Sequence, residues 1–413
     1  MKILLCCPHP LSHLRAGSNA RVIEMARQLA PHFDVCVSAP SISEELEMNG
    51  VQFMAMNARE ASARVSQFDF VISNGTCFPA RMYARKSPRF IFDFYNPFLL
   101  EMLAGGQEYA AGEWKKSRHV PALIRFLLWR ADLILCASPQ QREFWLGAMY
   151  GAGALRPERV QRETKAEDLV RIVPFGLPDE EFPGQAKRVL KGVHPGIQES
   201  DKILLWGGGM WNWLDPLTLI RAMQHLASSH PQIKLYFMAA YSQESRHAAE
   251  PMTTQARELA AQCGLLNRTV FWGEEWVRYE ERANYLAEAD LAVCLSPESL
   301  ENHFSYRTRL LDALWAGVPI LCTRGGFVAD WIEQHGCGVT VREGDESSVA
   351  EKIVTTLEPE AQARMRSRIN ACRQELSWNS CIQPLVEGIR KLELQPPKSA
   401  STWREYIKYK LMG

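Results

Sequence analysis

Residues 303–332 read HFSYRTRLLDALWAGVPILCTRGGFVADWI. Leu310, Leu311, Leu314 and Trp315 recur at helical spacing, which predicts a helix with one buried stripe. A short β-like run follows, Val318 to Cys322, and then the pair Gly325–Gly326. A helix that feeds a short apolar strand and a glycine turn is the repeating unit of a parallel sheet covered by helices. At about 100° per residue, Arg307 falls within about 40° of Leu311 and Leu314, so its guanidinium is expected along the core side of the helix. An inward cation needs a carboxylate or a phosphate to compensate it.

The same rhythm extends in both directions. KILLCC, DVCVSA, VQFMAM, DFVIS, RFIFDF, DLILCA and VRIVPF read as strands in the first half, separated by amphipathic segments such as SNARVIEMARQLA. The span from Gly176 to Asp201 is rich in Pro, Gly and charge and reads as a connection. The alternation then restarts with KILLWG, KLYFMA, TVFWG, DLAVCLS, VPILCT and GVTV. This predicts an α/β protein of two doubly wound, Rossmann-like domains with ligands at the carboxyl ends of the strands. The boundaries expected are 1–183 for the first domain, 184–200 for a linker and 201–384 for the second. A C-terminal helix within 385–413 completes the first domain, with the tail STWREYIKYKLMG folded back on it.

A chain of 413 residues is long enough for two cores. Its 47 basic and 47 acidic side chains cancel, which gives no general field for nucleic acid. Any anion must be met by a local device. The 11 cysteines are scattered, several within strand-like runs, and none forms a CxxC or metal-spaced cluster, so reduced thiols in a cytoplasmic protein are expected. The first apolar run stops at Pro8, too short for a secretory segment.

Two further stretches suggest ligand chemistry. Gly17 and Ser18 stand before a helix after the first strand, where backbone amides and the helix dipole favour an anion; an ordinary turn with an N-cap is the other reading. In LLWGGGMWNWLDPL, Gly207, Gly208 and Gly209 permit close backbone approach, and Trp211 and Trp213 offer flat faces. No GxGxxG and no Walker lysine follows, so dinucleotide and P-loop sites are disfavoured. Arg309, three residues before Asp312, could form a surface ion pair. Thr308 and Asp312 share a helix face, where a carboxylate suits a pair of vicinal hydroxyls, and arginine forks suit a diphosphate.

From Met1 to about Val341 the chain resembles the retaining nucleotide-sugar glycosyltransferases of family 4, also called glycosyltransferase group 1, which have the GT-B fold of two domains facing across a cleft. LLDALWAGVPILCTRGG carries the most specific part of the likeness, and FDFYNPFLLE, IVPFGLP, LLWGGGMWNWLDPLTLIRA and SYRTRLLDALWAGVP extend it through both halves. The resemblance implies a nucleotide-sugar donor on the second domain and a glycan or lipid-linked saccharide acceptor facing the first. It implies that Asp312 meets the ribose hydroxyls and that Gly208 and Gly209 lie under the diphosphate, with Gly17 beside it. Gly325 and Gly326 form the loop after the acidic helix, and Val277 sits where backbone meets the base.

Three positions depart from the family pattern. Phe304 occupies the place of the first signature acid, eight residues before Asp312, with Glu301 and His303 as nearby polar candidates. The basic pair after the glycine loop is replaced by the region of Trp211 and Asp215–Pro216, and the first-domain histidine matches near Tyr95. Arg307 and Arg309 are therefore expected to stabilise the departing diphosphate, with Glu301 as a third catalytic candidate. Asp93, Tyr95, Asn96 and Glu101 are expected on the acceptor side.

No DxD pair occurs, and the expected reaction is metal-independent glycosyl transfer (EC 2.4 type) with retention, in cell-surface polysaccharide biosynthesis, needing no cofactor beyond the sugar nucleotide. A sugar-nucleotide epimerase and a non-catalytic nucleotide-binding scaffold are the rival readings. The tail, with Trp403, Tyr406 and Tyr409, offers a peripheral contact with the inner face of the membrane as an alternative to docking on the first domain.

Overall fold

The structure is a computed structural model. It describes residues 1–11, 17–43, 46–85, 87–104, 115, 118–238, 251–273, 277–395 and 406–407. The chain forms two compact units. One comprises Met1–Pro97, Ala111–Phe175 and Trp378–Gly413, the other Phe98–Ala110 and Gly176–Ser377.

The first unit holds a seven-stranded sheet of order β3-β2-β1-β4-β5-β6-β7. Its strands are β1 (Lys2–Cys6), β2 (Asp34–Ala39), β3 (Val51–Ala55), β4 (Phe70–Ser73), β5 (Arg89–Asp93), β6 (Leu133–Cys136) and β7 (Val170–Ile172). The second unit holds six, in the order β10-β9-β8-β11-β12-β13. These are β8 (Lys202–Trp206), β9 (Ile233–Phe237), β10 (Val270–Trp272), β11 (Leu291–Cys294), β12 (Ile320–Thr323) and β13 (Gly338–Val341). Every pairing is parallel. Strands β4, β6, β11 and β12 are buried at every position, as parallel strands covered by helices on both faces must be. In each sheet the order reverses beside the first strand, β1 or β8, and open α/β sheets bind ligands at that switch point.

The final helix, Trp378–Glu393, packs in the first unit against the helix Gly17–Leu29 and against β7. Gly388 permits this closeness: a Cβ there would lie 2.9 Å from both Leu133 Cδ2 and Arg171 Nε. Trp403 and Tyr409 lie outside the described residues, while Tyr406 packs at 5.9 Å from Phe126 of the first unit.

The stretch 184–200, anticipated as a linker, lies within the second unit. Glu288, itself buried, gathers it by accepting from the Gln185 side chain at 2.8 Å, from Val189 N at 2.6 Å and from the amides of Leu190 and Lys191. A carboxylate satisfied by this many amides tolerates burial. All 11 cysteines are free thiols, those in the strands buried.

Candidate active site

The opening stretch folds into two helices rather than one. Ser299 caps the first, Leu300–Phe304, by accepting from Asn302 N at 3.1 Å. Ser305 then turns extended, with φ −74° and ψ 153°, and the second helix runs Arg309–Trp315. Arg307 therefore precedes the helix on whose phase its inward direction was predicted. It still points inward, because a carboxylate receives it. Its Nη1 and Nη2 donate to Glu301 Oε1 and Oε2 at 2.8 and 2.6 Å, with Glu301 1% and Arg307 14% exposed. Burial disfavours the charged guanidinium, but Glu301 outweighs it and the Arg307 pKa rises. Glu301 and Arg307, both expected to act on the donor, thus pair with each other as a fork through both Nη atoms, while Arg307 Nε has no partner among the described residues.

Arg309 has a different environment. Its Nη1 donates to Gly207 O at 3.0 Å, its guanidinium carbon lies 5.7 Å from the Trp206 ring centroid, and a Cβ on Gly208 would come within 4.0 Å of that carbon. Gly208 has φ +82°, a conformation that glycine adopts without strain. Burial pushes the Arg309 pKa down, and neighbouring Arg307 adds to the fall. Among the described residues no carboxylate pairs with it. The anticipated surface pair with Asp312 is not made, because the guanidinium turns toward the glycine loop. The structure thus brings Gly207, Gly208 and Arg309 together at the carboxyl end of β8. Trp211 borders the same loop, its ring 3.7 Å from a Cβ on Gly209 and stacked on Trp213 at 5.4 Å and 6°.

Asn302 was missed by the sequence reading and ties two loops together. Its Oδ1 accepts from Ser296 Oγ at 2.8 Å, after β11, and its Nδ2 donates to Arg324 O at 2.9 Å, after β12. The Gly325–Gly326 turn lies directly on it: a Cβ at Gly326 would sit 2.5 Å from Asn302 O and one at Gly325 3.1 Å from Asn302 Nδ2. Gly326 starts the nine-residue helix Phe327–His335, whose first amides have no partner within the helix and can face an anion. Only the spacing of Ser299 and Asn302 hinted at this hub.

Asp312 is 34% exposed and its Oδ1 accepts from Arg282 Nε at 3.1 Å. Arg282 lies 5.0 Å from the Trp315 ring, whose Nε1 donates to Glu180 O at 2.9 Å. Thr308, half-buried, stands immediately before the helix. Val277 is half-buried beyond residues 274–276, which lie outside the described residues. Asp215, where the family's basic pair was sought, caps the helix Pro216–Leu226 through Thr218 N at 3.0 Å and Thr218 Oγ1 at 2.6 Å.

In the first unit, Gly17 opens its helix with φ +44°, and a Cβ there would lie 3.9 Å from the Tyr95 hydroxyl. Residues 12–16, just before it, lie outside the described residues, as does the Ser18 side chain. Asp93 is held by Arg21, a fully buried residue that sequence reasoning also missed. Arg21 donates to Asp93 at 2.6 and 2.9 Å and to Val173 O at 2.8 Å, with its guanidinium 4.6 Å from the Tyr95 ring. Burial lowers its pKa, Asp93 outweighs burial, and the net shift is upward. Gln141 Nε2 fixes Tyr95 O at 2.8 Å, and Asn96 follows, half-buried. Glu101 does not join this group. Its helix, Phe98–Ala104, belongs to the second unit, packs on Leu300–Phe304 and places the Glu101 charge where it acts on Arg307.

Residues 201–359 match the family model for Glycosyl transferases group 1. No curated protein sequence matches the chain. Among solved structures, sucrose-phosphate synthase from Thermosynechococcus elongatus is similar with a TM-score of 0.65 at 14% identity, over 95% of this chain and 99% of that one. Anabaena HepE in complex with UDP-glucose matches with a TM-score of 0.64 at 16% identity, over 95% and 100%. WaaG, a glycosyltransferase involved in lipopolysaccharide biosynthesis, matches with a TM-score of 0.61 at 15% identity, over 94% and 98%. The chain therefore has the GT-B fold of two Rossmann-like domains and carries the group 1 glycosyl transferase pattern over residues 201–359.

Proposed function

We propose that this chain transfers a sugar, with retention of configuration, from a nucleoside-diphosphate donor held by the second unit. The acceptor is a glycan or lipid-linked saccharide of cell-surface polysaccharide synthesis. The observation that carries the reading is Arg309, a half-buried cation without a carboxylate partner among the described residues, set against the Gly207–Gly209 backbone. A diphosphate would supply the compensating charge. The structural relatives support the substrate class, since HepE is described with UDP and with UDP-glucose and WaaG acts in lipopolysaccharide biosynthesis.

On this reading the bond between the anomeric carbon and the phosphate oxygen breaks with its electron pair passing to that oxygen. Arg309 and the amides that open the Phe327–His335 helix stabilise the charge that develops. The acceptor hydroxyl attacks the same face and passes its proton to the departing phosphate. Three of the four candidate carboxylates support this route without a side-chain base, because Asp93, Glu301 and Asp312 are each engaged by an arginine: Arg21, Arg307 and Arg282 respectively. Arg307 and Glu301 then act as positioning residues, while the exposed part of Asp312 remains for the ribose. Gly17 and Tyr95 belong to the acceptor-facing side.

The reading also implies a cytoplasmic protein acting near the inner face of the membrane. No described helix is long and apolar enough to cross one.

Incubation with a panel of sugar nucleotides and saccharide acceptors, followed by NMR of the anomeric centre, tests the proposal. Release of nucleoside diphosphate with a retained linkage supports it. Isomerised donor without transfer favours the epimerase, and binding without turnover favours the scaffold.

A further inference from the structure

A second concentration of cations, Arg130 buried and Arg156 and Arg159 half-buried, lies at the opposite edge of the first sheet, before the strands rather than after them. Arg130 ends the helix Val120–Arg130, and Asp132 immediately precedes β6. Arg130 is 3% exposed; it donates to Asp132 Oδ2 at 2.7 Å and to the carbonyls of Arg85 and Pro88 at 3.0 and 3.1 Å, both ahead of β5. Asp132 Oδ2 also accepts from Phe90 N at 2.9 Å. Arg156 is close by, 4.0 Å from the Trp129 ring centroid.

Arg159 completes the group and is incompletely satisfied. Its Nη1 donates to Leu128 O at 3.0 Å, but its Nε and Nη2 are buried without a hydrogen-bond partner, as is Arg130 Nε. No carboxylate among the described residues forms an ion pair with Arg159. Burial pushes its pKa down to about 10, with Asp132 opposing the fall and Arg156 and Arg130 adding to it. The unpartnered Nε–Nη2 edge carries the pair of parallel N–H bonds that can grip an oxyanion side-on. Leaving such donors dry is costly.

We propose that Arg159, with Arg130, binds a phosphate-type oxyanion at the amino edge of the first sheet, apart from the Gly17–Tyr95 group at the carboxyl edge. About 13 Å of strand β6 separates the two edges. Phosphate suits the site because it offers several oxygens to the parallel N–H donors of Arg159, while the nearby Arg130 charge adds to the attraction. The oxyanion is either a free phosphate or the phosphodiester of an anionic lipid headgroup.

The test uses the full-length protein with inorganic phosphate, followed by calorimetry, and with phosphatidylcholine vesicles with and without phosphatidylglycerol, followed by flotation. Arg159→Gln and Arg159→Lys are compared with Arg162→Gln, a change at an exposed residue. The expected result is saturable phosphate binding that weakens at least tenfold in R159Q and R159K and is unchanged in R162Q. R159K retains the charge while losing the side-on edge, so it remains informative if R159Q unfolds. Vesicle binding that phosphate competes away and that R159K loses identifies a lipid source, whereas phosphate binding alone identifies a free anion. Absence of saturable binding by the wild type, or equal affinity in the Arg159 variants, overturns the proposal. None of these readouts depends on glycosyl transfer.

Discussion

Replacing Glu301 with Gln tests the buried fork most sharply. The substitution keeps the shape of the side chain and removes the charge that Arg307 meets at 2.6 and 2.8 Å. At such separations a pair is worth about 4 kcal/mol at an effective dielectric near 20. Removing one partner of a buried pair costs about 3–5 kcal/mol, because the remaining charge is stranded. For a unit of this size each kcal/mol shifts Tm by about 2–4 °C, so the second unit should melt about 6–20 °C lower. Arg307→Met should cost a similar amount. The double variant Glu301→Gln/Arg307→Met should recover much of the loss, since no charge is left stranded. Thermal unfolding by circular dichroism, with the two units' transitions resolved, measures all three. A loss below about 1 kcal/mol in E301Q, or strict additivity in the double variant, would refute the reasoning.

Arg309→Gln should lower kcat by about 100- to 1,000-fold, the effect of losing one well-placed donor to a departing anion, with little change in Tm; steady-state release of nucleoside diphosphate measures it. Gly326→Ala should destabilise the second unit by about 1–3 kcal/mol, because its φ of +82° and the 2.5 Å approach to Asn302 O leave no room for a methyl group; urea unfolding checks this. Lys391→Ala should remove a contact between the final helix and Asp168, at 2.6 Å. Burial raises the Asp168 pKa, but its hydrogen bond to Lys391 helps bring the net shift below the usual carboxylate value. The stabilisation is therefore present above about pH 4 and lost as pH falls through the lowered folded value. The contact is largely exposed, so wild type and variant should differ by about 0.2–1 kcal/mol at neutral pH and converge in acid.

The sheets were legible because most of their strands are buried on both faces, the edge strands β3 and β13 excepted. Runs such as DLILCA and VPILCT have nowhere to lie except between two layers of helix, and each of the thirteen runs read as a strand forms one. The glycine positions were legible where a bare backbone is required, at Gly208 and Gly326. The partners of the charges were not. The helical phase used for Arg307 did not apply, because the residue precedes the helix; its partner lies six residues back across the extended Ser305, and Arg21 meets Asp93 across 72 residues. Such pairings follow from which loops the sheet order brings side by side, information that no local spacing contains. Asn302 escaped for the same reason, since its role is to join the ends of β11 and β12.

Calorimetric titration of UDP into the wild-type protein and into Arg309→Gln asks whether Arg309 grips the nucleoside diphosphate. Saturable binding by the wild type and at least a tenfold loss in the variant are expected, with Tm unchanged before ligand is added. Equal affinity in both proteins would contradict that role, as would failure of UDP and of every other nucleoside diphosphate to bind the wild type.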